Sequence, residues 1–587
     1  MTHLVCSPPS TLSLIALPLV VLAAGCHTTD PPTAPESPPP ASAAVAATGI
    51  FRWGSATPES QGMCGSTKQL GCARTLLSIW YTVSNPIHNT KRFLIIRNDK
   101  VVFDRGGTLA YHVYSASKGL LGAPTLVHAM SACGVGLTDP ASRWLAHGDG
   151  ARWGTTYPWT DITVEHLATH TSGVCDYGNS SAVCRNENAG WQAAYEKADD
   201  GGTRYLYPND AFTIARTEAE QNREPALAPG STFEYSNVGH GLMNYVVQKA
   251  CGQKLTDIFD LFIKQAGMGS PTWVAQIYTD GDKVFNQSTG VALWKGVDGA
   301  AVLRLAGRQG IWDNRNIEPV KYWYEVTKIA GNIPAAAAVG RGVVYENNST
   351  NLWTQSAGHR RLSLEMFGHG GNYSTAFFND PLTSTIIVRQ GDNNAKGASY
   401  LTKNGCAPGW TGTAPTCVAG TDWTNNWGVA NGTTGSSSVG VLKKVTDPVQ
   451  EAFFFPPPFC RMTAAAGRPV DNTTDVYDSP VDATTIDLTA EIKINPREGA
   501  GSSVVDKVEF YKETGTVAPV YIGNGTLVAG TSPPQYKLAY SAESHGAADE
   551  VRTYFANCVA KSVIDNTKKV PSYSRPVRVK RLVTAAP

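Results

Sequence analysis

The sequence predicts a mixed α/β catalytic unit, with an antiparallel sheet flanked by helices, followed by a small all-β sandwich. Paired short apolar runs around turn residues predict β-hairpins at 92–104 and 374–389. Apolar residues after Ser115 recur at nearly helical spacing, which predicts a helix. Beyond residue 466, short β-branched runs alternate with turns, which is typical of a sandwich.

Chain length and net charge limit the number of domains and the classes of partner that we expect. The chain has 587 residues, too many for one domain, and its 49 Lys and Arg against 48 Asp and Glu leave a net charge of +1. This balance provides no field that would attract nucleic acid or an anionic membrane. We therefore expect a small-molecule or short-peptide substrate and no nucleic-acid partner. The oligomeric state is left open.

The N-terminus predicts export. Residues 1–25 are typical of a signal peptide, with an apolar region from Leu12 to Ala24 followed by small residues before Cys26. The apolar region is too short to span a membrane as a helix. The Ala-Ala-Gly before Cys26 is similar to a bacterial lipoprotein cleavage site, although Leu22 is displaced by one position. We expect a secreted protein, or a periplasmic or outer-membrane lipoprotein attached to the membrane through Cys26. The Pro- and Ala-rich residues 26–50 predict an extended linker.

Ten cysteines remain after Cys6 is removed and Cys26 is lipidated, and an even number suits an oxidising compartment. Close spacing predicts the disulfides Cys64 with Cys72, Cys175 with Cys184 and Cys406 with Cys417. The pairing of Cys133, Cys251, Cys460 and Cys558 stays open. No cysteine spacing is typical of zinc, and His166 and His170 lack the glutamate of a zinc-protease helix. We expect neither a metal nor a cofactor.

The pattern Ser-x-x-Lys occurs once, at Ser115 and Lys118. Residues three apart on a helix share a face, so the ammonium can lie beside the hydroxyl. A serine is a weak nucleophile until a base takes its proton, and Lys118 can do so if burial or a second cation lowers its pKa. Alone the pattern is a weak signal, and an exposed pair on a surface helix is an equal alternative. Pro124 predicts a kink or split in this helix.

Composition predicts the domain boundaries. The catalytic unit is assigned to residues 51–460, with polar insertions at about 174–210 and 403–440, and the sandwich to 466–587. Three consecutive prolines ending at Pro458 mark the boundary. Because the motif residues precede it, we expect a chain that ends near Pro457 to keep its catalytic constants.

Three motifs stand in order: Ser115-x-x-Lys118, Tyr235-Ser236-Asn237 and His369-Gly370-Gly371. With the phrases His-Leu-Ala-Thr-His-Thr-Ser-Gly and Pro-Gly-x-x-Phe-x-Tyr-Ser-Asn, they resemble the serine hydrolase superfamily of class C β-lactamases and penicillin-binding proteins. That superfamily includes β-lactamase-type esterases, D-aminopeptidases and 6-aminohexanoate-dimer hydrolases. The resemblance covers about residues 53–455 and implies a β-lactamase/transpeptidase-like fold.

The resemblance implies that Ser115 is the acylated nucleophile and that Lys118 and Tyr235 share the proton transfers. It also implies that Asn237 positions the substrate, and that the oxyanion hole uses the backbone N–H groups of Ser115 and Asn372. A lysine so close to Tyr235 would help a phenol with an ordinary pKa near 10 to act as a base.

His369-Gly370-Gly371 stands where the lactamases have Lys-Thr-Gly, which puts lactam hydrolysis in doubt. We expect His369 to be mostly neutral at about pH 7.5 and to gain a proton toward about pH 6, where it would favour an anionic substrate. Gly371 would let the substrate approach the strand closely.

We therefore predict an exported serine hydrolase that cleaves ester or amide bonds of small molecules or short peptides through an acyl-enzyme on Ser115. The alternatives are a true β-lactamase, and a D-Ala-D-Ala peptidase or penicillin-binding receptor. A third alternative is an inactive adhesion module carried by the sandwich. The strand at 505–511 resembles those of bacterial immunoglobulin-like domains.

Overall fold

The computed structural model describes residues 52–67, 69, 72, 74–84, 90–145, 162–173, 229–230, 237–269, 272–273, 292–312, 315–327, 346–347, 362–363, 365–371, 375–391, 446, 449–466, 468–469, 474, 476–479, 484–494, 503–514, 518–545 and 550–582. The predicted signal peptide and linker, both insertions, and the predicted pairs Cys175 with Cys184 and Cys406 with Cys417 lie outside these residues. Within them, no helix is long and apolar enough to cross a membrane.

The α-helices are α1 Leu76–Val83, α2 Ala123–Ala132, α3 Ser142–Leu145, α4 Val164–Ala168, α5 Asn237–Cys251, α6 Leu255–Ala266, α7 Gly296–Gly307, α8 Val320–Thr327 and α9 Ala542–His545. Short 3-10 helices cover Glu59–Gln61 and Tyr114–Ala116, and a π-helix covers Lys118–Gly122. The structure shows no split at Pro124, because the π-helix continues directly into α2 and this proline lies in the first turn of α2. Proline has no N–H to donate to the preceding turn, which favours a change of helix type at this position.

The strands of the catalytic unit are β1 Gly54–Ser55, β2 Thr90–Arg97, β3 Lys100–Gly106, β4 Tyr111–His112, β5 Thr272–Trp273, β6 Ala292–Trp294, β7 Ile311–Trp312, β8 Arg315–Asn316, β9 Glu346–Asn347, β10 Phe367–Gly371, β11 Thr375–Asp380 and β12 Thr385–Gly391. In the described part of the chain, seven of them form one sheet in the order β1-β3-β2-β12-β11-β10-β9. All neighbours are antiparallel except β1 and β3.

Both predicted hairpins are confirmed, as β2 with β3 and β11 with β12. The first turns at Asn98 and Asp99, whose φ angles are 50° and 60°. Two successive residues in the left-handed region are the signature of a type I′ turn, whose twist matches that of the paired strands. The hairpin therefore follows from local sequence alone.

The sheet is buried on both faces. Along β2, Leu94 and Ile96 join a cluster built mainly from α2, α5, α6 and α7. The alternate residues Phe93 and Ile95 join a second cluster with α1 and Phe453. Because successive strand residues point to opposite faces, the near-continuous apolar run of β2 supplies two separate cores.

Three disulfides lie in the described part of the chain. Cys64 with Cys72 confirms the prediction. Cys133 pairs with Cys251, which joins the C-terminal ends of α2 and α5, and Cys460 pairs with Cys558. These two bridges settle the pairing that the sequence left open.

The strands of the C-terminal unit are β13 Phe459–Ala465, β14 Arg468–Pro469, β15 Tyr477–Ser479, β16 Thr485–Lys493, β17 Ser503–Lys512, β18 Val520–Asn524, β19 Thr526–Val528, β20 Gln535–Ser541, β21 Val551–Ser562, β22 Lys569–Tyr573 and β23 Val577–Arg581. They form two sheets, with orders β14-β13-β16-β20-β19 and β15-β23-β21-β17-β18, and β22 pairs with β21.

One apolar cluster fills the space between these sheets. It includes Ile486 and Leu488 from β16 on one side and Phe510 and Ala556 on the other. The Cys460–Cys558 disulfide links the two sheets. Since β13 pairs with β16, the two-sheet unit begins at Phe459 and not at the predicted residue 466. The immunoglobulin-like character of this unit stays a prediction.

The sandwich shares a core with the catalytic unit. Ala560 and Val570, from β21 and β22, belong to the same buried cluster as Phe93, Ile95 and Phe453. Removing the sandwich would therefore expose part of the catalytic unit's own core and lower its stability. That a chain ending near Pro457 keeps its catalytic constants stays a prediction.

Polar contacts reinforce this interface at the β2–β3 turn. The amide nitrogen of Asn98 donates to Gln61 Oε1 at 2.8 Å and to the carbonyl of Pro571 at 3.2 Å. Its amide oxygen accepts the backbone N–H of Tyr573 at 2.8 Å. The next residue, Asp99, accepts two hydrogen bonds from Arg304 of α7, each 2.8 Å long. The β2–β3 turn therefore links its own sheet to helix α7 and to the sandwich.

Arg308 forms a buried ion pair across the same interface, with Glu513 of the sandwich. We expect Glu513→Ala to lower the free energy of unfolding by about 3–5 kcal/mol, because the substitution leaves a buried guanidinium with less compensation. Urea unfolding followed by fluorescence measures this loss. Lys537→Ala, which removes a largely exposed ion pair to Asp487 on the sandwich, is the control and should have a much smaller effect. Equal effects of the two substitutions would contradict a structural role for the interface pair.

Candidate active site

The turn before Ser115 is strained. The chain leaves β4 and enters the 3-10 helix through Tyr114, whose φ is 47°. A bulky residue in the left-handed region costs free energy and is held there by the surrounding structure. The hydroxyl of Ser117 donates to the carbonyl of Tyr114 and supports the turn. Ser115 is thereby presented at a sharp change of direction, and it is partly exposed.

Lys118 begins the π-helix and its side chain is 0% exposed. The whole turn from Lys118 to Gly122 is buried. Short π-helical segments are frequent at functional sites. The surface-helix alternative for Ser115 and Lys118 is therefore excluded for the lysine, because a lysine is almost never fully buried without a specific role or partner.

The end of β10 reaches the turn that carries Ser115. A Cβ atom placed on Gly371 would lie 3.2 Å from the backbone nitrogen of Ser115 and 2.9 Å from the carbonyl oxygen of Val113. Only a residue without a side chain allows this approach of strand to turn. The third motif therefore lies directly beside the first, as its predicted role requires.

His369 lies on β10, opposite Phe377 of β11, and is 2% exposed. One ring nitrogen, Nδ1, is hydrogen-bonded to the carbonyl of Gly370. Burial first, and the charge of Lys118 second, lower the pKa of His369 to about 3. The imidazole is therefore neutral at pH 7.5, as expected. The expectation that it gains a proton near pH 6 is wrong, because the site disfavours a second cation beside Lys118.

Some predicted site residues cannot be placed. Tyr235 and Asn372 lie outside the described residues. Asn237 is the first residue of α5, and the structure describes its backbone but not its side chain. The structure brings together Ser115, Lys118, His369 and Gly371. The roles of Tyr235, Asn237 and Asn372 stay predictions.

Two further histidines lie at or next to the site, and the sequence analysis did not assign them to it: His240 is close to Lys118, and His170 is close to His240. His240 of α5 is 0% exposed and His170, after α4, is 1% exposed. Their ring centroids lie 6.2 Å apart. Burial first, and the charge of Lys118 second, lower the pKa of His240 well below its ordinary value. The available signal was the position of His240, three residues after the Tyr-Ser-Asn motif, which puts it one helical turn from Asn237.

His166 has a local structural function. Thr163 accepts the backbone N–H of His166 at 3.2 Å, and Nδ1 of His166 accepts the backbone N–H of Thr163 at 3.2 Å. This reciprocal pair forms a capping box at the start of α4. The structural interpretation of His166 therefore has a specific basis in the helix cap.

Comparison with known proteins agrees with this geometry. Residues 92–292 match the Beta-lactamase family model. The fold is β-lactamase-like. The matched region contains Ser115, Lys118 and the start of α5, and ends before His369 and the sandwich. No curated protein matches the chain.

Several solved structures show distant similarity. The D-stereospecific amidohydrolase from Streptomyces sp. is 18% identical, with 52% of this chain and 89% of that chain covered and a TM-score of 0.36. EstCE1, a hydrolase with promiscuous acyltransferase activity, is 14% identical, with 54% and 92% covered and a TM-score of 0.40. A penicillin-binding protein from Bacillus halodurans is 16% identical, with 53% and 94% covered and a TM-score of 0.37. Similarity at this level carries no argument about activity.

The lowered pKa of His369 has a consequence for stability. The unfolded chain takes up a proton on this residue below its ordinary pKa of about 6.5, whereas the folded protein does not until about pH 3. Stability contributed by the neutral imidazole is therefore lost as the pH falls from about 7 toward 3. Between pH 7.5 and 5, we expect the free energy of unfolding to fall by about 2 kcal/mol less for His369→Gln than for the wild type.

Urea unfolding of both proteins at each pH measures this difference. Any loss caused by the substitution itself, independent of pH, cancels when each protein is compared with itself. Parallel pH profiles for the two proteins would contradict the lowered pKa.

Proposed function

We propose that this protein is an exported serine hydrolase that cleaves ester or amide bonds of small molecules or short peptides through an acyl-enzyme on Ser115. The observation that carries the proposal is the placement of a partly exposed Ser115 one turn before a fully buried Lys118. Gly371, from the third motif, lies close to the backbone nitrogen of Ser115, which supports a shared site for the first and third motifs.

The proposed chemistry has two steps. Ser115 Oγ attacks the carbonyl carbon of the substrate while its proton passes to the Lys118–Tyr235 pair, and the same proton is returned to the leaving alcohol or amine. Water then attacks the acyl-enzyme, loses its proton to that pair, and releases the acid as Ser115 regains its proton. The backbone N–H groups of Ser115 and Asn372 would stabilise the oxyanion formed in both steps.

Location and the role of the sandwich are part of the proposal. The N-terminal signal and Cys26 support export, with lipidation as the means of membrane attachment. The disulfides suit an oxidising compartment. We propose that the sandwich is immunoglobulin-like and that it stabilises the catalytic unit through their shared core.

We expect Ser115→Ala to abolish labelling by a serine-reactive phosphonate and to lower turnover of a nitrophenyl ester by several orders of magnitude. Lys118→Ala and Tyr235→Phe should each be severe, and neither should add much to the loss from Ser115→Ala, since the three residues act as a unit. Mass spectrometry of the labelled peptide identifies the modified residue.

Ser131→Ala is the matched control, because this partly exposed serine lies on α2, outside the three motifs, and should not react. Near-normal turnover in Ser115→Ala would refute the assignment. A burst of one product equivalent without further turnover would favour the penicillin-binding receptor.

The neutral imidazole of His369 predicts substrate preference. A charge-assisted hydrogen bond contributes roughly 1.5–3 kcal/mol, against about 0.5–1.5 kcal/mol for a neutral one. Relative to a lysine, His369 should therefore weaken binding of a carboxylate substrate roughly five- to thirtyfold. We expect kcat/KM for a short-chain nitrophenyl ester to exceed that for a chromogenic cephalosporin, and His369→Lys to narrow the gap.

The ratio of the two kcat/KM values should stay constant between pH 7.5 and 6, since the pKa of His369 is about 3. A wild-type preference for the cephalosporin would show that another cation binds the carboxylate, and would favour the lactamase alternative.

A further inference from the structure

His240 connects the three motifs. It is the fourth residue of α5, the helix that starts at Asn237 of the second motif. It packs against Gly122, at the end of the π-helix that starts with Lys118 of the first motif. His369 of the third motif acts on it electrostatically. This buried side chain therefore lies beside the helix of the first motif, on the helix of the second motif, and within electrostatic reach of the third.

The contact with Gly122 is close. A Cβ atom placed on Gly122 would lie 2.9 Å from Nε2 of His240 and 3.1 Å from its Cε1. The backbone of Gly122 is helical, with φ of −63°, so the conformation itself does not require glycine. The absence of a side chain at Gly122 therefore makes room for the imidazole of His240.

The titratable groups that face His240 come from three other elements: Lys118 from the π-helix, His170 from the turn after α4, and His369 from β10. Burial, followed by these three groups, lowers the pKa of His240 well below its ordinary value. A neutral imidazole has one nitrogen that accepts a hydrogen bond. It can stabilise a buried ammonium without adding a second charge.

We propose that His240 is a positioning residue that holds the π-helical turn and the Lys118 side chain in the geometry required to activate Ser115. This inference rests on the proposed function. His240 does not touch substrate in this scheme and transfers no proton to it. It acts by packing into the space left at Gly122 and by presenting a neutral, polar ring to Lys118.

The first test replaces the ring. His240→Leu puts a side chain of similar size in place of the ring but removes its polar atoms. We expect kcat for a nitrophenyl ester to fall roughly 10- to 100-fold, with KM nearly unchanged. The acid limb of the kcat/KM profile should move to lower pH by roughly half a unit to one unit, because leucine offers no polar atom to the buried ammonium. His240→Gln, which is neutral and polar, should recover much of the activity.

The second test moves the ring without changing it. Gly122→Ala should displace His240 and also lower kcat. Gly241→Ala on α5 should have no effect, because a Cβ atom there meets no atom of the described residues within 4 Å. In a His240→Ala background, Gly122→Ala should cost little further activity, since the ring with which it collides is gone.

All rates are measured per active site, titrated with the phosphonate, so that a fraction of unfolded protein does not count as lost catalysis. Wild-type kcat and an unchanged acid limb in active-site-titrated His240→Leu would overturn the proposal, as would full additivity of Gly122→Ala with His240→Ala. These results are distinct from failure of the proposed function, in which Ser115→Ala would keep its turnover.

Discussion

Burial of the Lys118 ammonium is the constraint on which the site depends. Removing a cation from water costs far more than any one contact returns, so polar atoms must converge on it from several directions. The groups near it come from distant parts of the chain: His240 lies on α5 and His369 on β10, and His170, after α4, lies next to His240. A shift of α5 or β10 would therefore leave the Lys118 ammonium less well stabilised.

The antiparallel sheet provides the fixed distances within which this happens. β10 is held by β11, β11 by β12, and β12 by β2, so the end of β10 is set by three hydrogen-bonded registers. Gly371 then meets the turn at Ser115. On the helical side, the Cys133–Cys251 disulfide ties the far ends of α2 and α5, the two helices that continue from the first and second motifs. Rigid strands and a covalent link between helices thus hold the motifs together.

Much of this structure could be predicted from the sequence where the signal is local. The β2–β3 hairpin follows from Asn98 and Asp99, and the change of helix type near Pro124 agrees with the irregularity expected from a proline. The strands of the sandwich follow from β-branched runs between turns. The site residues Ser115, Lys118 and His369 came from motifs, and they converge as that interpretation required.

Long-range features could not be predicted in the same way. Cys133 and Cys251 are separated by 118 residues, and Asn98 and Pro571 by 473, so no local pattern relates them. The pKa of His369 is set by the burial of its side chain and by its proximity to Lys118. Neither can be predicted from the residues next to His369 in the sequence. His240 was missed because a histidine on an apolar helix is usually structural, and its contact with Gly122 exists only in three dimensions.

The interface at Asn98 also bears on the order in which the chain can fold. Multidomain chains commonly fold from the N-terminus as each domain is completed. Here the side chain of Asn98 and the core around Phe93 are completed by Val570, Pro571 and Tyr573, near the end of the polypeptide. The catalytic unit therefore reaches its final state only after nearly the whole chain has been synthesised. Until β22 is present, the turn at Asn98 and the core around Phe93 lack contacts that the finished protein has.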